Sequence, residues 1–230
     1  MNAYLLYHWD VKVIPLPSGI IVYTDSPKNN QDPYIFNEQF LHTYCHMKAV
    51  SKGGIHPDDL YFWVNAGEGV IRKNVKELLC DLVFVVKNQM PWPKPPQELA
   101  ETDRYIDSPQ AWQDHYRWAS IDHPYKPEQV QTGIGRVTVK ADPNRSFQPV
   151  DQDQQRIDVK PLLLSAGMDW ETIKHAIVGN AFASFPLPLK PAVARSLYGV
   201  LSSQQYVQRT GKWLHHLRQE NEDLLRSRPY

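Results

Sequence analysis

Leu78-Leu79-Cys80-Asp81-Leu82-Val83-Phe84-Val85-Val86-Lys87 is the stretch that decides the fold. All of it except Asp81 and Lys87 is apolar, and its second half is β-branched or aromatic. A run of this length and makeup predicts a strand buried on both faces, at the centre of a sheet. Upstream, Leu60-Tyr61-Phe62-Trp63-Val64 predicts a second strand. It is entered through the turn Lys52-Gly53-Gly54-Ile55-His56-Pro57-Asp58-Asp59. Further upstream, residues 3–8, 11–15 and 19–24 are short, β-rich and punctuated by Pro15, Pro17, Ser18 and Gly19, so they read as three more strands. Downstream, Arg136-Val137-Thr138-Val139-Lys140 alternates and predicts a strand that returns to the sheet.

Helical spacing surrounds this β-rich part. Phe36, Phe40, Tyr44 and Met47 recur at steps of four and three, which predicts a helix over 34–50. Ser108 followed by Pro109 is a helix start, carrying Trp112, His115, Trp118 and Ala119 until Pro124 stops it. Asp169 is the expected N-cap of another helix, with Met168 placed to staple onto Ile173. After Phe185-Pro186-Leu187-Pro188-Leu189-Lys190-Pro191, the side chains of Val193, Leu197, Val200, Val207, Leu214, Leu217 and Leu224 predict one long C-terminal helix with Gly199 and Gly211 as weak points. Met90-Pro91-Trp92-Pro93-Lys94-Pro95-Pro96-Gln97 is a stiff connector, and 141–149 is expected to be a polar loop. The expected fold is therefore α+β: a mostly antiparallel sheet or small barrel in the N-terminal part, covered by helices. It forms one domain over 1–230, with an internal boundary at 90–97 and a helical region over 159–230.

The chain has 230 residues, enough to bury a sizeable core. Its 25 Lys and Arg balance its 25 Asp and Glu, which excludes a uniformly basic binder. Resolved along the chain, 97–129 is acidic and the segment after Ala192 is basic. No apolar run approaches the roughly 18 residues of a membrane span, and the first residues lack a signal peptide's order. The expectation is a cytoplasmic protein with no membrane contact, no cofactor and reduced Cys45 and Cys80.

Three constellations carry candidate chemistry. His42-x-x-Cys45-His46 would place three soft ligands on adjacent helical turns. No recognised zinc spacing accompanies them, so core packing and solvent exposure are preferred and no metal is expected. His115-Tyr116-Arg117-Trp118-Ala119-Ser120-Ile121-Asp122-His123 is denser. Here His115 or His123 is a candidate general base oriented by Asp122, while Trp118 and Arg117 offer a surface for a planar ligand. The plainer reading is that His123 neutralises a helix end. Finally, Lys140, Asp142, Arg145, Ser146 and Gln148 gather around Phe147 in the expected polar loop. Arg145 suits an anion and Gln148 both donates and accepts, a mix that fits the polar edge of a base or sugar. An ordinary turn satisfying its own backbone is the alternative.

The order Gly53-Gly54-Ile55-His56-Pro57-Asp58-Asp59-Leu60-Tyr61-Phe62-Trp63-Val64, then Leu79-Cys80-Asp81-Leu82-Val83-Phe84-Val85-Val86, resembles small PUA-like barrels of the ASCH and EVE types. It is also similar to phage-associated nucleotide-modification domains. The resemblance spans about residues 50–90 and has Asp58-Asp59 where the family usually has Gly-Asp. It implies a barrel and an association with RNA and modified bases.

The expected function is therefore binding of a nucleotide or a nucleic-acid base, in a nucleotide-modification or defence context. Its partner would be nucleic acid or nucleotide. Two alternatives stand beside it. One is an enzyme on a small polar substrate, using the His/Asp pair with Arg145. The other is an interaction subunit that docks a protein partner through its basic C-terminal helix.

Overall fold

The computed structural model describes residues 1–7, 11–15, 21–25, 35–36, 41–43, 50, 54–67, 74–91, 137–142, 144–178 and 186–210. The strands are β1 (Ala3–Tyr7), β2 (Val11–Pro15), β3 (Ile21–Asp25), β4 (Ile35–Phe36), β5 (Leu41–Thr43), β6 (Leu60–Asn65), β7 (Leu79–Pro91), β8 (Val137–Ala141), β9 (Phe147–Val150), β10 (Ile157–Asp158), β11 (Leu187–Pro188) and β12 (Val207–Thr210). The helices are α1 (Lys160–Ser165), α2 (Trp170–Val178) and α3 (Pro191–Leu201). The fold is α+β.

The opening stretch of sequence becomes β7, and it is central. One edge pairs antiparallel with β6, from Leu60 opposite Val85 to Asn65 opposite Leu79. The other edge takes three partners in turn: β10 at Leu79 and Cys80, β9 at Val83, and β8 from Val86 to Pro91. The main path runs β11-β1-β6-β7-β8-β5-β4, and β2 pairs with β3 apart from it. The pair β1 and β6 is parallel, whereas the other named pairs are antiparallel. Among the described residues the path does not close on itself, so they form an open sheet.

The two residues that interrupt the apolar run mark the two irregularities of β7. Trp63 faces Leu82 but Val64 faces Cys80, which leaves Asp81 as the extra residue of a bulge. Val86 faces Ala141 but Asn88 faces Lys140, which leaves Lys87 as the second. The first bulge also shifts the alternation of side chains. Cys80, Val83 and Val85 point into one core with Leu5, Phe62, Phe147 and the helices. That core takes Leu163 from α1, Ile173 and Ile177 from α2, and Val193, Ala194, Leu197 and Leu201 from α3. Leu82, Phe84 and Val86 are buried on the opposite face with Leu6, Tyr61 and Trp63. Each such fully buried side chain contributes about 1.5–3 kcal/mol.

Asp169 caps α2 as its sequence predicts. Its Oδ2 accepts the Thr172 backbone N–H at 2.8 Å and the Thr172 hydroxyl at 2.9 Å. Met168 packs against the core. These bonds hold the Asp169 carboxyl below its ordinary range. A depressed folded-state value means that the contribution is present above about pH 4 and is lost as pH falls through the lower folded value. Asp169→Ala should therefore lower stability at neutral pH and flatten the acid limb of a stability-versus-pH curve; an unchanged acid limb would show that the cap adds nothing.

Three expectations are corrected. At the described residues 35–36 and 41–43 the chain is strand, not the helix that the aromatic spacing suggests over 34–50, while Val50 is helical: β4 and β5 pair with each other, and β5 pairs with β8 at His42–Lys140 and Thr43–Val139. Sheet pairing with β8 overrides the local period. The 141–149 segment is only in part a loop, because Phe147–Val150 is a strand, with Phe147 in the helical core. The long C-terminal helix ends at Leu201. There Ser202 donates to the Gly199 carbonyl at 3.4 Å, and the Gln205 N–H bonds the Ser203 hydroxyl at 3.3 Å, so serine side chains compete for the backbone. The chain then returns as β12, with Val207 opposite Val150 and Thr210 opposite Phe147. The seven-residue step from Val200 to Val207 spans this turn and is not a helical repeat. Residues 211–230 lie outside the described residues, as do the connector beyond Pro91 and the segment 101–136. No described helix is long and apolar enough to cross a membrane.

Candidate functional site

Two turns meet on β7 at Val85 and Val86. From the β8 side, the Asp142 N–H bonds the Val85 carbonyl at 2.7 Å, and the Ser146 hydroxyl accepts the Val85 N–H at 3.0 Å. From the β6 side, the Asp58 N–H bonds the Val86 carbonyl at 2.9 Å, and the Asp59 carbonyl accepts the Val86 N–H at 2.9 Å. Arg145 straps the two turns together through an ion pair of its Nη1 with Asp58 Oδ1 at the surface. That hydrogen bond raises the Arg145 pKa further. Asp58 has φ +71°, a left-handed conformation that Asp tolerates. Asp142 closes its own turn, its Oδ1 accepting the Asn144 N–H at 2.9 Å and its carbonyl accepting the Ser146 N–H at 2.9 Å.

Beside this junction, the buried Asp59 carboxylate fixes the start of β1. It accepts the Asn2 N–H and, at 2.9 Å, the His56 N–H. Asn2 Nδ2 also reaches Asp59 at 3.3 Å and the Gly54 carbonyl at 3.2 Å. Burial, and then the Asp59 charge, push the hydroxyls of Tyr4 and Tyr61 upward, so both stay protonated.

The Asp81 bulge carries a second buried polar group. Asp81 accepts from Asn65 Nδ2 and, at 3.0 Å, from Arg156 Nη1. Arg156 Nη1 also donates to Asn65 Oδ1 at 2.9 Å, and the same oxygen accepts the Gly67 N–H at 2.7 Å. The side chains of Arg156 and Asp81 are 10% and 1% exposed. Burial, reinforced by the Asp81 charge, raises the neighbouring Cys80 thiol, which is free and unreactive in character.

The face opposite the helices is where chemistry is least satisfied. Pairing sets two rows across it: Tyr4–Tyr61–Phe84, and Leu6–Trp63–Leu82. Tyr61 stacks on Phe84 with centroids 5.7 Å apart and planes 19° apart, and meets Tyr4 edge-on at 6.0 Å. Val83 opposite Phe147 brings β9 alongside. Because Phe147 points into the helical core, alternation turns Gln148 to the aromatic face, next to the Leu82 row. Gln148 is 1% exposed, and both its Oε1 and its Nε2 lack a hydrogen-bond partner, as does the Tyr61 hydroxyl. Val150, on the same side of β9, bridges to Arg156, so the charged network borders this face.

The sequence-derived site residues thus separate. Asp142, Arg145 and Ser146 share one turn, whose groups bond one another, Asp58 and β7. Lys140 lies in β8, in register with Asn88 and His42. Gln148 belongs to the buried aromatic face instead. His115, Arg117, Trp118, Asp122 and His123 lie outside the described residues. His42 sits in a strand, so the helical spacing proposed for it with Cys45 and His46 does not exist at that position, and those two residues lie outside the described ones. Among the described residues no three His, Cys, Asp or Glu side chains gather as a metal site. Sequence reasoning missed Asp58, Tyr61, Trp63, Asp81 and Arg156; the one available signal was Asp81, a lone charge inside an apolar run.

No family model, curated protein or solved structure matches the chain.

Proposed function

We propose that the protein binds a ligand bearing a nucleic-acid base, held against the face formed by Tyr61, Trp63, Phe84 and Gln148. The observation that carries this reading is the Gln148 amide: a donor and an acceptor, side by side, buried and unpartnered. Leaving such a group unsatisfied costs about 1–3 kcal/mol, a penalty that a ligand with a complementary polar edge removes. The surrounding aromatic rings supply stacking worth about 1–3 kcal/mol per base.

Titration of the protein with the common ribonucleosides and short oligonucleotides, followed by intrinsic tryptophan fluorescence, tests the proposal. Saturable quenching is expected, weakened at least tenfold in Gln148→Leu. Absence of saturable binding to every one of these ligands would remove it.

A further inference from the structure

Granted the base-binding reading, on which this inference rests, we infer that the site takes the uncharged base or nucleoside and draws no affinity from phosphate. The polar groups offered on the face are neutral: the Gln148 amide and the protonated Tyr61 hydroxyl. The amide matches a heterocycle edge on which an N–H donor adjoins an acceptor, because it presents the converse pair. Two charged side chains near it, Arg156 and Arg145, are each paired with a carboxylate. Arg156, on the bordering network, gives its Nη1 to Asp81 and Asn65. Arg145, on the nearby turn, gives its Nη1 to Asp58 and has Asp142 in the same turn.

A 5′-phosphate carries between about one and a half and two negative charges at neutral pH. A phosphate brought to Arg156 would approach the Asp81 carboxylate that shares its guanidinium, setting like charges against each other at a buried site. To bind Arg145 it must approach both Asp58 and Asp142. The arrangement therefore favours a neutral ligand and disfavours an anionic one at the same place. Arg209 stands in register with Gln148 on β12, and a phosphate-dependent gain in affinity that requires Arg209 would contradict this inference.

The test measures binding of four nucleosides and their 5′-monophosphates to the full chain by calorimetry, at about 50 and 200 mM salt, a range over which phosphate contacts weaken affinity strongly. The expected result has a nucleoside binding, its monophosphate binding no tighter, and the nucleoside Kd constant within about twofold across the salt range. Methylation of the ring N–H or exocyclic amine that faces the amide, as in 3-methyluridine or N6,N6-dimethyladenosine, should abolish binding of that nucleoside. This arm uses the unaltered protein and does not depend on a variant folding. Tighter binding of monophosphates, lost at high salt or in Arg209→Ala, would overturn this inference while leaving the base-binding reading intact. Binding of neither set would overturn both.

Discussion

Asp81→Ala should lower the stability of the protein by about 3–5 kcal/mol, the range found when one partner of a buried ion pair is removed. The expectation follows from where the bulge places the carboxylate. Asp81 is 1% exposed and receives both Arg156 Nη1 and Asn65 Nδ2, so truncation strands a guanidinium that is itself only 10% exposed. Asn65 loses an acceptor in the same step, although its Oδ1 keeps the Gly67 N–H. At about 2–4 °C per kcal/mol for a chain of this size, the melting temperature should fall by about 6–20 °C. Urea unfolding gives the free energy directly, with the midpoint moving and the slope preserved. Adding Arg156→Met to Asp81→Ala should recover part of the loss, because the buried charge goes with its partner. A loss below about 1 kcal/mol would class the pair with exposed surface bridges and contradict its placement.

Phe84→Ala should be of similar size, about 3–5 kcal/mol. Phe84 is fully buried on the aromatic face, where it stacks on Tyr61. On β7 it is flanked by strands on both sides, with Tyr61 of β6 and then Tyr4 of β1 on one side and β9 on the other. Neighbouring strands limit how far the sheet can collapse into the vacated volume, which places the cost in the upper part of the range. Under the proposed function the same substitution weakens ligand binding. Phe84→Leu, which keeps most of the volume, should lose under about 1.5 kcal/mol of stability yet still weaken binding, separating packing from stacking. Equal binding by Phe84→Leu and the parent would place the ligand elsewhere.

The centre of the fold was legible because burial on both faces leaves a continuous apolar run, and 78–87 is such a run. Its two polar residues were also informative, since Asp81 and Lys87 each occupy a bulge, where a side chain escapes the regular alternation. The segment 60–64 was readable for the same reason. The peripheral strands were not. Over 34–50 the aromatic spacing fits a helix, and only pairing with β8, about a hundred residues away, selects a strand at Leu41–Thr43. Similarly, β9 and β12 exist because each completes the other, and neither Phe147–Val150 nor Val207–Thr210 carries a strong period alone. Of the candidate site, the chemistry of Gln148 is legible in the sequence but its place in a strand is not. Its polar neighbours in sequence suggest one surface, whereas strand alternation sends Gln148 to the buried face and leaves Asp142, Arg145 and Ser146 in the turn. The Asp81–Arg156 pair joins positions far apart in sequence, and no local pattern announces it.

Base binding at this face requires that the Gln148 amide be unsatisfied until a ligand arrives. The most direct measurement is the stability of Gln148→Leu relative to the parent, by urea unfolding in ligand-free buffer. Leucine fills a comparable volume and removes two unpartnered polar atoms from a buried face. The variant should be more stable by about 1–3 kcal/mol while binding its ligand at least tenfold more weakly. A variant less stable by a similar amount would mean that the amide is already hydrogen-bonded in the free protein and does not wait for a ligand.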